Sequence, residues 1–270
     1  INARLTSKSF KRWMMFPKVA KKIFEIFDMC LCSNKETKEF LDKLEIKQVY
    51  FKGNIKLVGL IDEKKIKDFN EDFLLKKRFW LAASIHKNED VICLKTHLCL
   101  KKKLSDIVTI IAPRHIERSE KIKILSEKFN LKTQILNQNE RILDNKEIII
   151  INYFGALNNY FKYAKSVFIG KSIDRKLKNE SGQNPIEAAK LNCKIYHGPY
   201  VSNFKDIYKI LEANKISKQI ENFEGLCSNL FLDFENLNMK NKNANLIDDL
   251  GRQTLKETMV LINNFVKNEA

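Results

Sequence analysis

The segment "KEIIIINY" at 146–153 sets four consecutive isoleucines between charged and polar residues. "RFWLAAS" at 78–84, "DIVTIIAP" at 106–113 and "SVFIGK" at 166–171 have the same character. A strand with one wet face alternates apolar and polar residues. An unbroken β-branched run needs cover on both faces, the situation of a parallel sheet between two layers of helices. Segments of helical character separate these runs, among them "EDVICLKTHLCLKKK", "SEKIKILSEKF" and "ALNNYFKYA". Short buried strands alternating with helices predict an α/β protein with a doubly wound parallel sheet.

Further strands are predicted at "MCLCS", "QVYFKGN", "KTQIL" and "KIYHG". Residues 11–28 read as amphipathic helix with a break near Pro17, and Ser33 is placed to cap the helix "NKETKEFLDKL". Residues 57–76 lose periodicity and read as a linker. A last helix is expected over about 253–268. In "SGQNPIEAAKLN", Asn184 reads as a cap, Pro185 as the first helical residue and Glu187 as the returning member of a near capping box.

The 270 residues suffice for one large or two small domains with real cores, and 8 Gly and 4 Pro argue against a loop-built or disordered chain. No apolar run reaches the ~18 residues of a membrane span. The net charge of +16 fits an anionic membrane, nucleic acid or a phosphorylated ligand, and lysine-biased codon usage accounts for part of it. The six cysteines lie mostly in apolar runs and read as buried, reduced thiols. Cys30 and Cys32 form a C-x-C pair, but no second pair follows at zinc spacing, and no His pair stands at H-E-x-x-H spacing, so no metal site is expected. The fingerprints G-x-G-x-x-G, G-x-x-x-x-G-K-[ST] and G-x-S-x-G are absent from the sequence.

Open parallel sheets bind ligands beyond the carboxyl ends of their strands. The loops there carry "IHKNED", "RHIER", "FGAL", "KSIDRKLKNESGQNP" and "PYVSNF". Arg114 offers a fork for phosphate or carboxylate, and His115 is a hydrogen-bonding partner for a ligand or for backbone. Gly155 permits close backbone approach, and two helix N-termini suit an anion. Glu187 would be repelled by phosphate and suits sugar hydroxyls. Together these favour a nucleotide. His97, in a helix with Cys93, reads as packing.

"NARLTSKSF", "GNIK", "AASIHKNED", "APRHIER", "FGAL…YFKYAKSVFIGKS", "GQNPIEAA" and "HGPYVSNFKDI" follow in one order. In that order they resemble the 3-deoxy-D-manno-octulosonic acid (Kdo) transferases of lipopolysaccharide synthesis, over nearly the whole chain. The resemblance implies a GT-B-type glycosyltransferase. Residues 1–58 would be the end of an N-terminal Rossmann-like acceptor domain, and 59–235 the C-terminal Rossmann-like donor domain. Residues 236–270 would be a helix returning toward the first domain.

The resemblance further implies transfer of Kdo from CMP-Kdo to the lipid A precursor lipid IVA, with inversion, without cofactor or metal, at the cytoplasmic face of the bacterial inner membrane. No nucleic acid partner is expected. Carried over by motif, Pro113, Arg114 and His115 would contact CMP. So would Phe154, Gly155 and Ala156, and Asn184, Pro185, Ile186 and Glu187, with Ser172 as a further substrate contact. Lys56 would stabilise charge in the transition state.

The chain departs from the family pattern at Ala156 (usually Glu), Lys171 (usually Gly), and Ser181 and Gln183 (usually Gly and His), which puts donor recognition in question. The family's membrane anchor and catalytic glutamate precede "NARL". The chain is therefore expected to be a piece of a longer protein, without the general base. A UDP-sugar transferase of the same fold and a basic nucleotide- or nucleic-acid-binding module are the alternatives.

Overall fold

The computed structural model describes residues 1–178, 181–236 and 244–269. Asn179 and Glu180 of the expected 170–185 loop, and residues 237–243 and Ala270 of the expected C-terminal segment, lie outside the described residues. The chain divides into two compact units: Ile1–Leu60 with Asn245–Ala270, and Ile61–Ala244.

The first unit opens with α1 (Ser7–Trp13), capped by Thr6, whose side chain accepts from the Ser9 N–H. Pro17 stands at the first position of α2 (Pro17–Phe24), so the predicted break falls where the missing N–H costs nothing. The strands β1 (Cys30–Cys32) and β2 (Val49–Phe51) pair in parallel, and Ala3 bridges to Cys32 on the other side of β1. Between the strands runs α3 (Lys35–Lys43). Its cap is Asn34 rather than the expected Ser33: the Asn34 side chain accepts from Thr37 N at 2.9 Å. Ala20, Cys30, Cys32, Leu41, Leu44, Ile46 and Val49 make the core of this unit.

The second unit begins with α4 (Glu71–Lys76), where a structureless linker was expected. The helix is short and buries one leucine, Leu74, which leaves little periodicity to read. Asn70 before it is buried, donates to the Glu140 carbonyl and accepts from Ile142 N, anchoring the segment to chain seventy residues away.

The sheet comprises β3 (Phe79–Ile85), β4 (Val108–Pro113), β5 (Thr133–Leu136), β6 (Ile148–Ile151), β7 (Ser166–Ile169), β8 (Lys194–His197) and β9 (Ser217–Gln219). Every pairing is parallel and the strand order is β5-β6-β4-β3-β7-β8-β9. The isoleucines of β6 are at most 2% exposed, and Trp80, Leu81 and Ala82 of β3 are fully buried, as unbroken apolar runs require. The covering helices are α5 (Glu89–Lys101), α6 (Ser119–Lys128), α7 (Leu157–Tyr163), α8 (Ile186–Lys190), α9 (Lys205–Ala213) and α10 (Phe223–Glu235).

Sequence reading missed β9 and α10. Asp233 on α10 accepts hydrogen bonds from Ser166 and Tyr196, both at 2.6 Å, and so ties the helix to β7 and β8. The cysteine expectation also changes in part. Cys99 on α5 and Cys227 on α10 are joined as a disulfide, with Cα atoms 6.3 Å apart, while Cys30, Cys32, Cys93 and Cys193 are buried free thiols. The pair is 128 residues apart in sequence, so no spacing motif announces it.

The last helix, α11 (Ala244–Glu269), belongs to the first unit. Gly251 lies against the Leu57 carbonyl, where any side chain would collide, and Lys52 pairs with Glu257 at 3.7 Å. Gly53, at φ +107°, leaves the room that Thr254 occupies.

Candidate functional site

The sheet of the second unit starts at β3, builds β4 to one side and later places β7 on the other. The switch point between β3 and β7 opens a crevice at their carboxyl ends. Ser84, at φ 56°, is an extra residue in β3: the register to β4 shifts between Ala83 and Ile85. Such bulges re-aim a strand end. The next loop turns through Asn88, at φ 76°, into α5.

Glu89, the first residue of α5, is fully buried. Its carboxylate accepts from four backbone N–H groups: His86 at 2.9 Å, Lys171 at 2.7 Å, Ser172 at 2.8 Å and Ile173 at 3.3 Å. One side chain thereby fixes the loop after β3 to the loop after β7. Burial pushes the Glu89 carboxyl above its usual range, and the four N–H donors pull it back. Gly170 is obligatory beside it, because a Cβ there would lie 2.6 Å from the Ser84 carbonyl oxygen and 2.8 Å from the Glu89 carboxylate.

Sequence reading took in Glu89 only as part of the "IHKNED" loop and assigned it no role. The available signal was an acid opening a helix directly after the first buried strand.

A second set of bonds fixes the loops after β7 and β8. The Ser172 hydroxyl donates to the Ile169 carbonyl at 2.7 Å and accepts from Gly198 N at 2.9 Å. Ser172 is fully buried, so it holds the loop and presents no surface of its own. Gly182 (φ +83°) donates to the Lys171 carbonyl at 2.5 Å and passes so near Val201 that a Cβ would clash. Tyr208 donates to the Gln183 carbonyl at 3.2 Å.

Cations gather at the mouth. Pro113 ends β4 and is buried, while Arg114 and His115 are exposed just beyond it; Arg114 N donates to the Ile85 carbonyl at 3.0 Å. The His86 and His115 rings meet edge to face, 5.7 Å apart, and Gln183 Nε2 lies 3.2 Å from His86 Nε2. Arg118 is bonded to the buried carboxylate of Asp90. His86 titrates at about 4: burial disfavours its charged form, and Lys171, His115, Arg114 and Arg118 add repulsion. A neutral imidazole ringed by positive charge is a setting for an anion.

The loop after β6 holds Phe154, 69% exposed, then Gly155 at φ +82° with open space around its Cα, then the buried Ala156 leading into α7. The stretch 184–187 differs from expectation. The helix starts at Ile186, with Pro185 in the cap position and Asn184 accepting from Ile186 N at 3.1 Å. Pro185 and Ile186 are buried, whereas Asn184 and Glu187 are half-buried. Among the described residues Glu187 makes no side-chain hydrogen bond, so the reciprocal half of a capping box is missing. α7 has seven residues and α8 five, too short for their dipoles to hold an anion by themselves.

Lys56 lies in the first unit, exposed in the 3-10 turn Ile55–Val58, its N–H bonded to Asn54 Oδ1 at 3.0 Å. The other expected site residues all stand at the carboxyl edge of the sheet of the second unit. Among the described residues no three His, Cys, Asp or Glu side chains stand together as metal ligands.

A doubly wound parallel sheet with its switch-point loops stitched together is a fold of the GT-B type, shared with solved glycosyltransferase domains. The C-terminal CMP-Kdo binding domain of WaaA from Acinetobacter baumannii superposes with a TM-score of 0.58 at 18% identity, over 72% of this chain and 96% of that one. A glycosyltransferase from Rickettsia africae superposes with a TM-score of 0.59 at 12% identity, over 98% and 69%. At these identities the likeness is one of fold.

In sequence, the chain is similar to the 3-deoxy-D-manno-octulosonic acid transferases. Residues 1–58 match the family described as 3-Deoxy-D-manno-octulosonic-acid transferase (kdotransferase). The enzyme of Rickettsia typhi is 28% identical over 233 residues, 85% of this chain and 49% of that protein. That of Rickettsia bellii is 28% identical over 273 residues, 98% and 64%. The chain spans about half the length of the curated relatives it matches.

Proposed function

We propose that this chain carries the donor half of a Kdo transferase, binding CMP-Kdo at the switch point of the second unit for transfer of Kdo, with inversion, to a lipid A precursor such as lipid IVA. The observation that carries the reading is the built carboxyl edge. Glu89 and Ser172 lock the loops after β3, β7 and β8, and Arg114 and Lys171 turn positive charge toward the neutral His86, with the His115 ring beside it. The kinship with Kdo transferases supports this choice of donor.

In this reading Arg114 forks onto the nucleotide phosphate, and the open backbone at Gly155 lets the ligand approach beside the Phe154 ring. Asn184 and Glu187 take the ribose hydroxyls. Pro113, Ala156, Pro185 and Ile186, all buried, contribute backbone and shape. Lys56 serves as the transition-state cation. The chemistry assigned here needs no metal or cofactor.

The acceptor would be met at the cytoplasmic face of the inner membrane. Met15, Phe16, Val19 and Phe27 are each more than half exposed in the first unit, interleaved in sequence with Lys11, Arg12, Lys18, Lys21 and Lys22, a pattern suited to an anionic lipid surface. Among the described residues no helix is long and apolar enough to cross a membrane.

Calorimetry with CMP, UDP and single-stranded RNA tests the reading. CMP should bind most tightly, and Arg114→Ala should weaken it by about 1.5–3 kcal/mol, the range of a charge-assisted hydrogen bond. Preference for UDP, or tight salt-sensitive RNA binding, would replace the Kdo reading. An unchanged CMP affinity in folded Arg114→Ala would remove this loop from the site.

A further inference from the structure

Lys171 adopts a left-handed backbone conformation, φ 57°, two residues past the end of a strand. The left-handed residues Glu45 and Lys215 differ: they end helices α3 and α9, where such a turn is a common exit. After β7 nothing of that kind excuses it, and a glycine would relieve the strain. The backbone is over-determined instead. Lys171 N is held by Glu89 at 2.7 Å, and its carbonyl by Gly182 N at 2.5 Å.

A strained residue kept at a loop mouth points to a use for its side chain. The side chain is half-buried, and among the described residues its ammonium has no hydrogen-bond or ion-pair partner. Arg118, also beside the crevice, is by contrast committed to Asp90.

We infer that Lys171 is a ligand-binding residue of the donor site, its ammonium held at the β3–β7 switch point for an anionic group, phosphate or carboxylate, of the bound nucleotide sugar. This rests on the nucleotide-sugar reading for the identity of the ligand, but not for the presence of an anion site. Lys171 is also the strongest of the charges that keep His86 neutral, so anion binding there should relax that repulsion and raise His86.

Lys171→Gly tests it, because the two roles move oppositely. Relief of left-handed strain should leave the melting temperature equal or higher, while loss of the ammonium should raise the dissociation constant for the anion about tenfold. Lys171→Arg keeps the charge and should keep most of the affinity. CMP, cytidine, free Kdo and inorganic phosphate are titrated against wild type and variant, with the His86 ring followed by NMR.

A loss on CMP without a loss on cytidine assigns the phosphate, and a loss confined to Kdo assigns the carboxylate. Equal affinities for all four in folded Lys171→Gly overturn the inference and leave the CMP-Kdo reading standing. Lysine-dependent phosphate binding without any CMP binding in wild type does the reverse. A variant that melts lower, with unchanged anion affinity, makes Lys171 structural only.

Discussion

Glu187 was expected to be both a helix cap and a ligand to a sugar, and the structure separates the two. With α8 beginning at Ile186 and Asn184 bonding Ile186 N, the carboxylate of Glu187 has no capping bond to lose among the described residues. Glu187→Gln should therefore leave thermal stability nearly unchanged. If the carboxylate takes the ribose hydroxyls, CMP affinity should fall by about 1–2 kcal/mol, since an amide matches two charge-assisted bonds poorly. Differential scanning calorimetry paired with CMP titration checks both halves; unchanged CMP affinity would take Glu187 out of the site. Ser172 shows the converse. Expected from its motif to be a substrate contact, it is buried, and its hydroxyl bonds Ile169 and Gly198.

At the scale of elements, the crevice depends on one carboxylate. Glu89 joins the N-terminus of α5 to the loop after β7, and its two oxygens satisfy four N–H donors that would otherwise be buried alone. Glu89→Gln keeps one acceptor oxygen and turns an NH₂ toward backbone donors. The cost should be about 3 kcal/mol, the range for breaking a buried charged network. The effect should be local before it is global. Hydrogen exchange should quicken at the Lys171, Ser172 and Ile173 amides, with weaker CMP binding even below the unfolding transition. Full protection at those amides in Glu89→Gln would show that the loop is held by something else.

For the molecule as a whole, pH links stability to buried imidazoles. His97 on α5 is fully buried, with Nδ1 2.9 Å from Thr109 Oγ1 on β4, and burial lowers it to about 4, as it does the half-buried His86. A group depressed in the fold binds protons more weakly there than in the unfolded chain. Its contribution is therefore complete above the unfolded value near 6.5 and is lost as pH falls toward 4. His97 alone should account for about 3 kcal/mol over that window, and His86 for less because solvent screens it. Denaturant unfolding between pH 7 and 4 should show the decline, with a flatter slope in His97→Gln. A stability independent of pH over this range would contradict the burial of both rings as neutral groups.

The strands were legible because β-branched runs such as Ile148–Ile151 record burial on both faces within a few residues, and parallel strands collect their loops at one edge. Arg114, His115, Phe154, Gly155, Asn184 and Glu187 could therefore be assigned to that edge from sequence. Neighbouring residues with weaker local signals were less certain: Asn34 rather than Ser33 caps α3, and α4 and β9 bury too little to show a period. Tertiary structure alone decided what joins distant segments. Glu89 meets Lys171 across 82 residues, Cys99 meets Cys227 across 128, and Ser172 meets Gly198 across 26. Periodicity reports the environment of a side chain but not the identity of its partner. Once the strand order brings β3 beside β7, a buried carboxylate takes whichever N–H groups the neighbouring loop presents, and Lys171 is held in the conformation that this pairing demands.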